Sequence, residues 1–189
     1  MTFIDRIIER AKQSIQHIVL PEAEDDRTLH AADQVLERGI AKVTLVGREE
    51  LVRDRLKALG IRREIPIVDP EKAAWREEFA EEMYELRKAK GLTREAAEQT
   101  MRQPIPHGIM MLHKGLADGL VAGAIHSTGD TLRPALQILK TAPGVSLVSA
   151  FFFMAFGETA YIFADSGLVE DPDASQLADI AVASAGTAL

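Results

Sequence analysis

The sequence predicts an α/β protein: a three-layer α/β/α fold with a mostly parallel sheet, followed by the start of a second α/β domain. Three observations lead there. Short apolar runs bounded by turn residues alternate with amphipathic helical patterns, the rhythm of strands joined by crossover helices. Three of those helical patterns stop at Gly39, Gly60 and Gly91, where a left-handed residue ends a helix cheaply. Residues 118–140 (DGLVAGAIHSTGDTLRPALQILK) read as strand, small polar loop and helix start, the place where open α/β sheets hold ligands.

In chain order, Ile4, Ile7, Ile8 and Ala11 give an opening helix one apolar stripe. Residues 17–21 (HIVLP) are a short strand, and the acidic run Glu22, Glu24, Asp25 and Asp26 follows. Residues 27–38 form a helix with Leu29, Ala32, Val35 and Leu36 inward. A strand at 42–46, a helix at 49–59 and a strand at 65–68, stopped by Asp69-Pro70, come next. Residues 71–90 are the longest helical pattern, with Trp75, Phe79, Met83 and Leu86 on one face; that spacing is a core stripe rather than a cofactor box. Thr93 caps a helix to about Met101, and Pro104 and Pro106 break the chain before a helix at 109–113. Leu120–Ala122 is expected as a strand covered on both faces. The helix after it has Leu132, Leu136 and Leu139 inward and Pro134 in its first turn.

A turn is expected over 141–144 (TAPG), then strands at 145–154 (VSLVSAFFFM) and 160–164, a polar turn at 165–172, and a helix from Asp173 to about Ala185 with Leu177, Ile180 and Ala181 on one face. The domain expectation is therefore residues 1–144 as a first, incomplete α/β domain and 145–189 as the opening of a second.

Composition excludes several classes. Of 189 residues, 47% are apolar and 27% charged, ordinary for a globular protein. A net charge of −7 argues against nucleic acid or anionic membrane as a partner, so an anionic substrate requires a local positive patch. With no cysteine there is no disulfide, thiolate metal site or cysteine nucleophile. The opening MTFIDRIIERAKQ is no signal peptide, and the longest apolar stretch, within 145–156, is too short to span a bilayer; a cytoplasmic location is expected. No GxGxxG follows a strand, and GxxxxGK[ST], HExxH and GxSxG are absent. The five histidines show no ligand spacing, so no metal is expected, although His113 and His126 can meet in space. The acidic run at 22–26 reads as a first turn facing the dipole of its helix.

The remaining signal is the loop 125–130. His126, Ser127, Thr128, Gly129 and Asp130 bring hydroxyls and free backbone N–H groups to a helix N-terminus, and Arg133 adds a charge suited to bidentate phosphate contact. Ordinary helix capping by Ser127 and Thr128, with a solvated Arg133, is the alternative reading of the same residues.

The blocks LPEAEDDRTLHAA, YELRKAKGLT, ADGLVAGAIHSTGDTLRPALQILKTAPG and FADSGLVEDP followed by QLADIAVASA resemble phosphate acetyltransferase, in that family's order and spacing. The resemblance covers nearly all of the chain. It implies a two-domain α/β/α fold with a cleft, and transfer of an acetyl group between coenzyme A and phosphate by direct attack of the thiolate on acetyl phosphate. Arg133 in TLRPA and Arg87 in YELRK match substrate-binding arginines of the family, with Ser127 and Thr128 adding bonds to phosphate oxygens. Coenzyme A and acetyl-CoA, with phosphate and acetyl phosphate, are then substrates; no separate cofactor is implied, and homodimers are usual. Family members are longer, and their first domain includes returning C-terminal elements, so the resemblance implies that the first domain is incomplete here and that missing sheet partners leave apolar surface such as Phe151, Phe152 and Phe153 exposed. The Ser-Arg pair and Asp that complete the family's site have no counterpart before Leu189, so catalytic residues stay unassigned and weak or no turnover is expected. The family's longer loop between Met154 and Phe163, often with a cysteine, is here the compact AFGETAYI. Phosphate butyryltransferase, or a binding module for phosphate or coenzyme A without turnover, are the alternatives.

Overall fold

In the computed structural model, residues 1–143 and 145–188 are described. The expected turn at 141–144 ends on Gly144, which lies outside the described residues. The chain divides into two compact units, Ala11–Lys140 on the one hand and Met1–Arg10 with Thr141–Leu189 on the other.

In the larger unit, strands β1 (His17–Leu20), β2 (Lys42–Val46), β3 (Ile67–Val68) and β4 (Gly119–Leu120) form a parallel sheet in the order β3-β2-β1-β4. Side chains alternate across it, as a pleat requires. Leu20, Val43 and Leu45 pack with Leu29 and Ala32 of α2 (Asp26–Glu37) and with Val52 and Leu56 of α3 (Glu49–Ala58). Val19 and Val46 face the opposite layer, built from α4 (Arg76–Arg87), α5 (Arg94–Met101), α6 (Pro104–His113) and α7 (Thr128–Ile138). The sheet thus lies between two helical layers, the predicted three-layer arrangement.

Several elements differ in detail from expectation, each for a physical reason. Strand β4 is a short edge strand with only β1 beside it, and Val121, expected inside, is 62% exposed. The long pattern from residue 71 becomes helical only at Arg76. The Asp69 carboxylate holds the chain before it, accepting the Glu71 N–H at 3.0 Å and the Glu49 N–H at 3.2 Å. Phe79 and Met83 are buried, with Trp75 and Leu86 packed against the same core, so the stripe is a core stripe. Pro104 does not break the chain. It is the first residue of α6, where its missing N–H would have had no partner in any case. Pro134, conversely, lies inside α7 rather than in its first turn. Because α7 packs chiefly against α6 and α4, Ile138 is its buried residue and Ala135 packs beside it, while Leu136 and Leu139 are exposed.

Helix α6 is buried almost all round. His107 is fully enclosed: its ring Nδ1 bonds the Met101 carbonyl at 2.9 Å, and the Trp75 indole N–H donates to Nε2 at 3.3 Å. That pairing requires the neutral ring with its proton on Nδ1, and burial pushes its pKa down. Gly108 lets α6 approach the sheet. A Cβ there would stand 2.9 Å from Leu120 Cδ1 and 3.0 Å from Val19 Cγ1. Gly108→Ala is therefore expected to lower unfolding free energy by about 1–3 kcal/mol through overpacking, despite alanine's better helix propensity. Urea denaturation checks it, and a stabilised variant contradicts the close approach.

In the smaller unit, β5 (Phe151–Phe156) and β6 (Thr159–Ala164) form an antiparallel hairpin turned by Gly157 and Glu158. Phe151 pairs with Ala164, the last residue of β6, so residues before 151 find no partner in the hairpin and the expected strand start at 145 moves to 151. The hairpin is antiparallel, a form that a two-residue turn permits. Helix α1 (Phe3–Gln13) begins in this unit: the Phe3 ring lies 5.5 Å from Phe153, and Arg6 Nη2 donates to the Glu158 carbonyl at 2.8 Å. Helix α8 (Ala174–Ala188) buries Ile180, whereas Leu177 and Ala181 are exposed. One face of the hairpin, with Phe152, Met154, Phe156, Tyr161 and Phe163, is exposed; of the three phenylalanines expected at the surface, Phe152 and Phe153 are exposed and Phe151 is half-buried.

Candidate functional site

The loops that follow β1 and β4 leave the same edge of the sheet, because those strands are parallel neighbours. Two residues after β1 stands Glu22, only 3% exposed. Its Oε2 accepts the backbone N–H groups of Gly123 and Ala124, both at 2.7 Å, and its Oε1 those of Ile125 and His126, both at 2.9 Å. The His126 ring Nδ1 lies 2.8 Å from the same Oε1. An ionised carboxylate only accepts, so Nδ1 carries the hydrogen. Burial pushes the Glu22 carboxyl up, but the N–H groups of Ile125 and Ala124, with His126, outweigh it and hold the pKa at about 2. Arg27 ties the same loop from its outer side: Nη2 donates to the Ala124 carbonyl at 2.7 Å while the guanidinium also bonds Asp25 at 2.9 Å.

The acidic run therefore divides its work. Asp25 caps α2, accepting the Arg27 N–H at 2.9 Å, and Asp26 pairs with Arg55 in the first turn, as the sequence suggests. Glu22 instead clamps the loop after β4.

Helix α7 closes its own N-terminus. The Ser127 hydroxyl accepts the Asp130 N–H at 3.2 Å and donates to Asp130 Oδ2 at 2.6 Å, and the Ser127 N–H donates to the same oxygen at 3.3 Å. This is a capping box. Of the backbone N–H groups expected to be free, those of Ile125 and His126 are engaged by Glu22, that of Ser127 by Asp130 and that of Asp130 by Ser127, whereas those of Thr128 and Gly129, the first two residues of α7, have no acceptor within the helix. The Asp130 carboxyl lies below its ordinary range because of the Ser127 hydroxyl and N–H first, and then the nearby His126 and Arg133.

Side chains are available as well. A cleft of about 430 Å³ lies between α5, the start of α6 and α7, lined by Thr100, Gln103, Pro104, His126, Asp130 and Arg133 among others. Arg133 is exposed there, with no side-chain hydrogen bond or ion pair among the described residues. Thr128 is the exposed first residue of α7. Arg87, the last residue of α4, is half-buried and likewise has no side-chain partner among the described residues; it does not line this cleft. Of the four predicted residues only Arg133 lines the cleft, from the second turn of α7 rather than the first; Ser127 and Thr128 stand at the start of that helix outside the cleft lining, and Arg87 ends α4. His113 bonds Glu82 at 3.4 Å, and His126 sits on Glu22, so those two histidines do not form a pair. Among the described residues there is no group of three or more His, Asp and Glu able to hold a metal ion, and no helix long and apolar enough to cross a membrane.

Sequence reasoning missed Glu22, Arg27 and His126 as parts of one assembly. The only signal was a carboxylate directly after a strand; its partner lies more than a hundred positions away and follows from strand pairing alone.

An unpaired arginine over an open cleft, beside an imidazole and a helix start, is suited to a tetrahedral anion. The family described as Phosphate acetyl/butaryl transferase matches residues 2–189. A phosphate acetyltransferase from Acetivibrio thermocellus is 48% identical over 188 residues, which is 96% of this chain and 56% of that protein. One from Thermoanaerobacterium thermosaccharolyticum is 48% identical over 194 residues, 100% of this chain and 59% of that protein. A solved phosphotransacetylase from Staphylococcus aureus superposes with a TM-score of 0.90 at 38% identity, covering 98% of this chain and 57% of that one. The chain thus spans a little over half the length of these relatives.

Proposed function

The chain belongs to the phosphate acetyl/butaryl transferase family, and on that premise we propose that it supplies the phosphate-handling part of an acyltransferase interconverting acetyl-CoA plus phosphate with acetyl phosphate plus coenzyme A. The observation that carries this reading is the unpaired Arg133 guanidinium on the wall of the cleft at the start of α7. In the reaction the coenzyme A thiolate attacks the acetyl carbon, a C–S bond forms, the C–O bond to phosphate breaks, and phosphate leaves with the electron pair. A guanidinium on the phosphoryl oxygens stabilises the charge that grows there, and a rigid loop keeps reacting groups aligned. Arg133 takes that role, and Thr128, at the start of α7, is assigned a hydroxyl contact from the family match. Arg87 is assigned to coenzyme A or phosphate from the family match. Ser127 reaches a phosphoryl oxygen as a donor only by releasing Asp130, because its hydroxyl proton is engaged there.

The same reading carries a place in acetate metabolism, a cytoplasmic location and assembly as a homodimer. The uncovered apolar face of the β5–β6 hairpin supports association with other protein surface.

Arg133→Ala is expected to weaken binding of inorganic phosphate by about 1.5–3 kcal/mol, the worth of a hydrogen bond to a charged group. Calorimetric titration of phosphate into both proteins measures it, and unchanged affinity removes Arg133 from the site. An assay of acetyl-CoA formation from acetyl phosphate and coenzyme A separates turnover from binding alone.

A further inference from the structure

We infer that His126 is a second contact for a phosphoryl group in the cleft that holds Arg133, presenting Nε2 to the anion while the buried Glu22 holds Nδ1; the inference rests on the reading of that cleft as a phosphate site. Three observations combine here. His126 lines the cleft together with Arg133 and Asp130. Its Nδ1 is fixed at 2.8 Å from a carboxylate that is 3% exposed and already bound by four backbone N–H groups, so the ring is held at both its backbone and its side chain. Its Nε2 has no partner among the described residues, and the side chain is 40% exposed.

The proton placement follows from this geometry. With Nδ1–H committed to Glu22, a neutral ring turns a lone pair on Nε2 toward the cleft and repels an anion. A proton on Nε2 makes the ring a donor, and Glu22 balances the resulting positive charge. The charged groups around the ring are Glu22 from the loop after β1, Arg27 from the first turn of α2, and Asp130 and Arg133 from α7. Asp130 directs Oδ2 at the Ser127 hydroxyl and N–H, which reduces its opposition to a bound anion. Arg27 is turned to Asp25 and the Ala124 carbonyl. Arg133 and protonated His126 then give the phosphoryl group two cationic donors of different geometry. Glu22 acts only through His126 and is a positioning residue.

The test uses the 189-residue chain with sulfate as probe, a tetrahedral dianion that does not itself titrate near neutrality. Affinity is measured by calorimetry on both sides of the ordinary histidine pKa of about 6.5. The His126 ring nitrogens are followed by 15N NMR in the same samples. The wild-type chain is expected to bind more tightly on the acid side, with Nδ1 protonated throughout and Nε2 gaining its proton as sulfate is added. His126→Asn is expected to lose roughly 10-fold to 100-fold in affinity on the acid side, and with it the pH dependence. His126→Gln keeps a neutral donor near the Nε2 position and recovers part of the loss. If Arg133→Ala weakens binding while both His126 variants match the wild type and the Nε2 resonance stays still, the inference is overturned and the phosphate reading stands. If the wild-type chain binds neither sulfate nor phosphate, both are overturned.

Discussion

Glu22→Ala is expected to destabilise the larger unit by about 3–5 kcal/mol, the range for removing one partner of a buried charged network. Four backbone N–H groups and an imidazole N–H lose their acceptor at once, and the loop they belong to opens α7. Glu22→Gln is expected to be nearly as harmful. Whichever way the amide turns, its NH2 faces two backbone donors where an acceptor stood. Equilibrium urea denaturation of both variants measures the loss. A Gln variant as stable as the wild type would show that the carboxylate charge has no part in holding the loop.

The same residue gives a pH signature. Its folded pKa, about 2, lies below its ordinary value of 4.5, so the unfolded chain binds more protons between those values. The contribution is therefore complete above about pH 4.5 and is lost as pH falls toward 2, on the order of 3 kcal/mol at about 1.36 kcal/mol per pKa unit. The other lowered carboxyls, such as Asp25, Asp26 and Asp165, persist in the Ala variant. The difference between the two acid-unfolding profiles thus isolates Glu22. Parallel profiles in that window would contradict the clamp.

Phe79→Ala carries the second large effect, a loss of about 3–5 kcal/mol for truncating a buried aromatic. Phe79 is 1% exposed, its ring centroid lies 5.0 Å from His107 and 6.1 Å from Trp75, and it joins α4 to the core around α6. The cavity left behind adjoins a histidine whose two ring nitrogens are both paired, so collapse is restricted by those bonds as well as by packing. Phe79→Leu keeps most of the volume and is expected to cost under about 1.5 kcal/mol. Thermal and urea unfolding of the pair measure the gap. Equal losses for Ala and Leu would mean that ring geometry rather than filled volume sets the stability.

Local pattern was enough for every element whose signal is carried by neighbours in sequence. The strand at Lys42–Val46 and the helix starting at Glu49 and stopping near Gly60 follow from apolar periodicity and end signals alone. So do the capped start of α5 at Thr93 and the core stripe of Phe79 and Met83. The capping box of α7 was equally legible, because Ser127 and Asp130 are three positions apart.

What the sequence by itself determined is therefore the layer order, the family, and the placing of Arg133 on the helix after β4, though one turn later than its first turn. Strand order, by contrast, decided that β4 is an edge strand and that Glu22 meets the loop 123–126, a contact across about a hundred residues that no periodicity encodes. Packing decided that α7 turns Ile138 rather than Leu136 and Leu139 inward, since only one of its sides has neighbours. Tertiary structure also decided where the backbone donors of 123–126 go. A buried carboxylate bound by four N–H groups is stronger than any exposed ligand contact with them, so the loop's amides go to Glu22, and Arg133 with His126 is left facing the cleft.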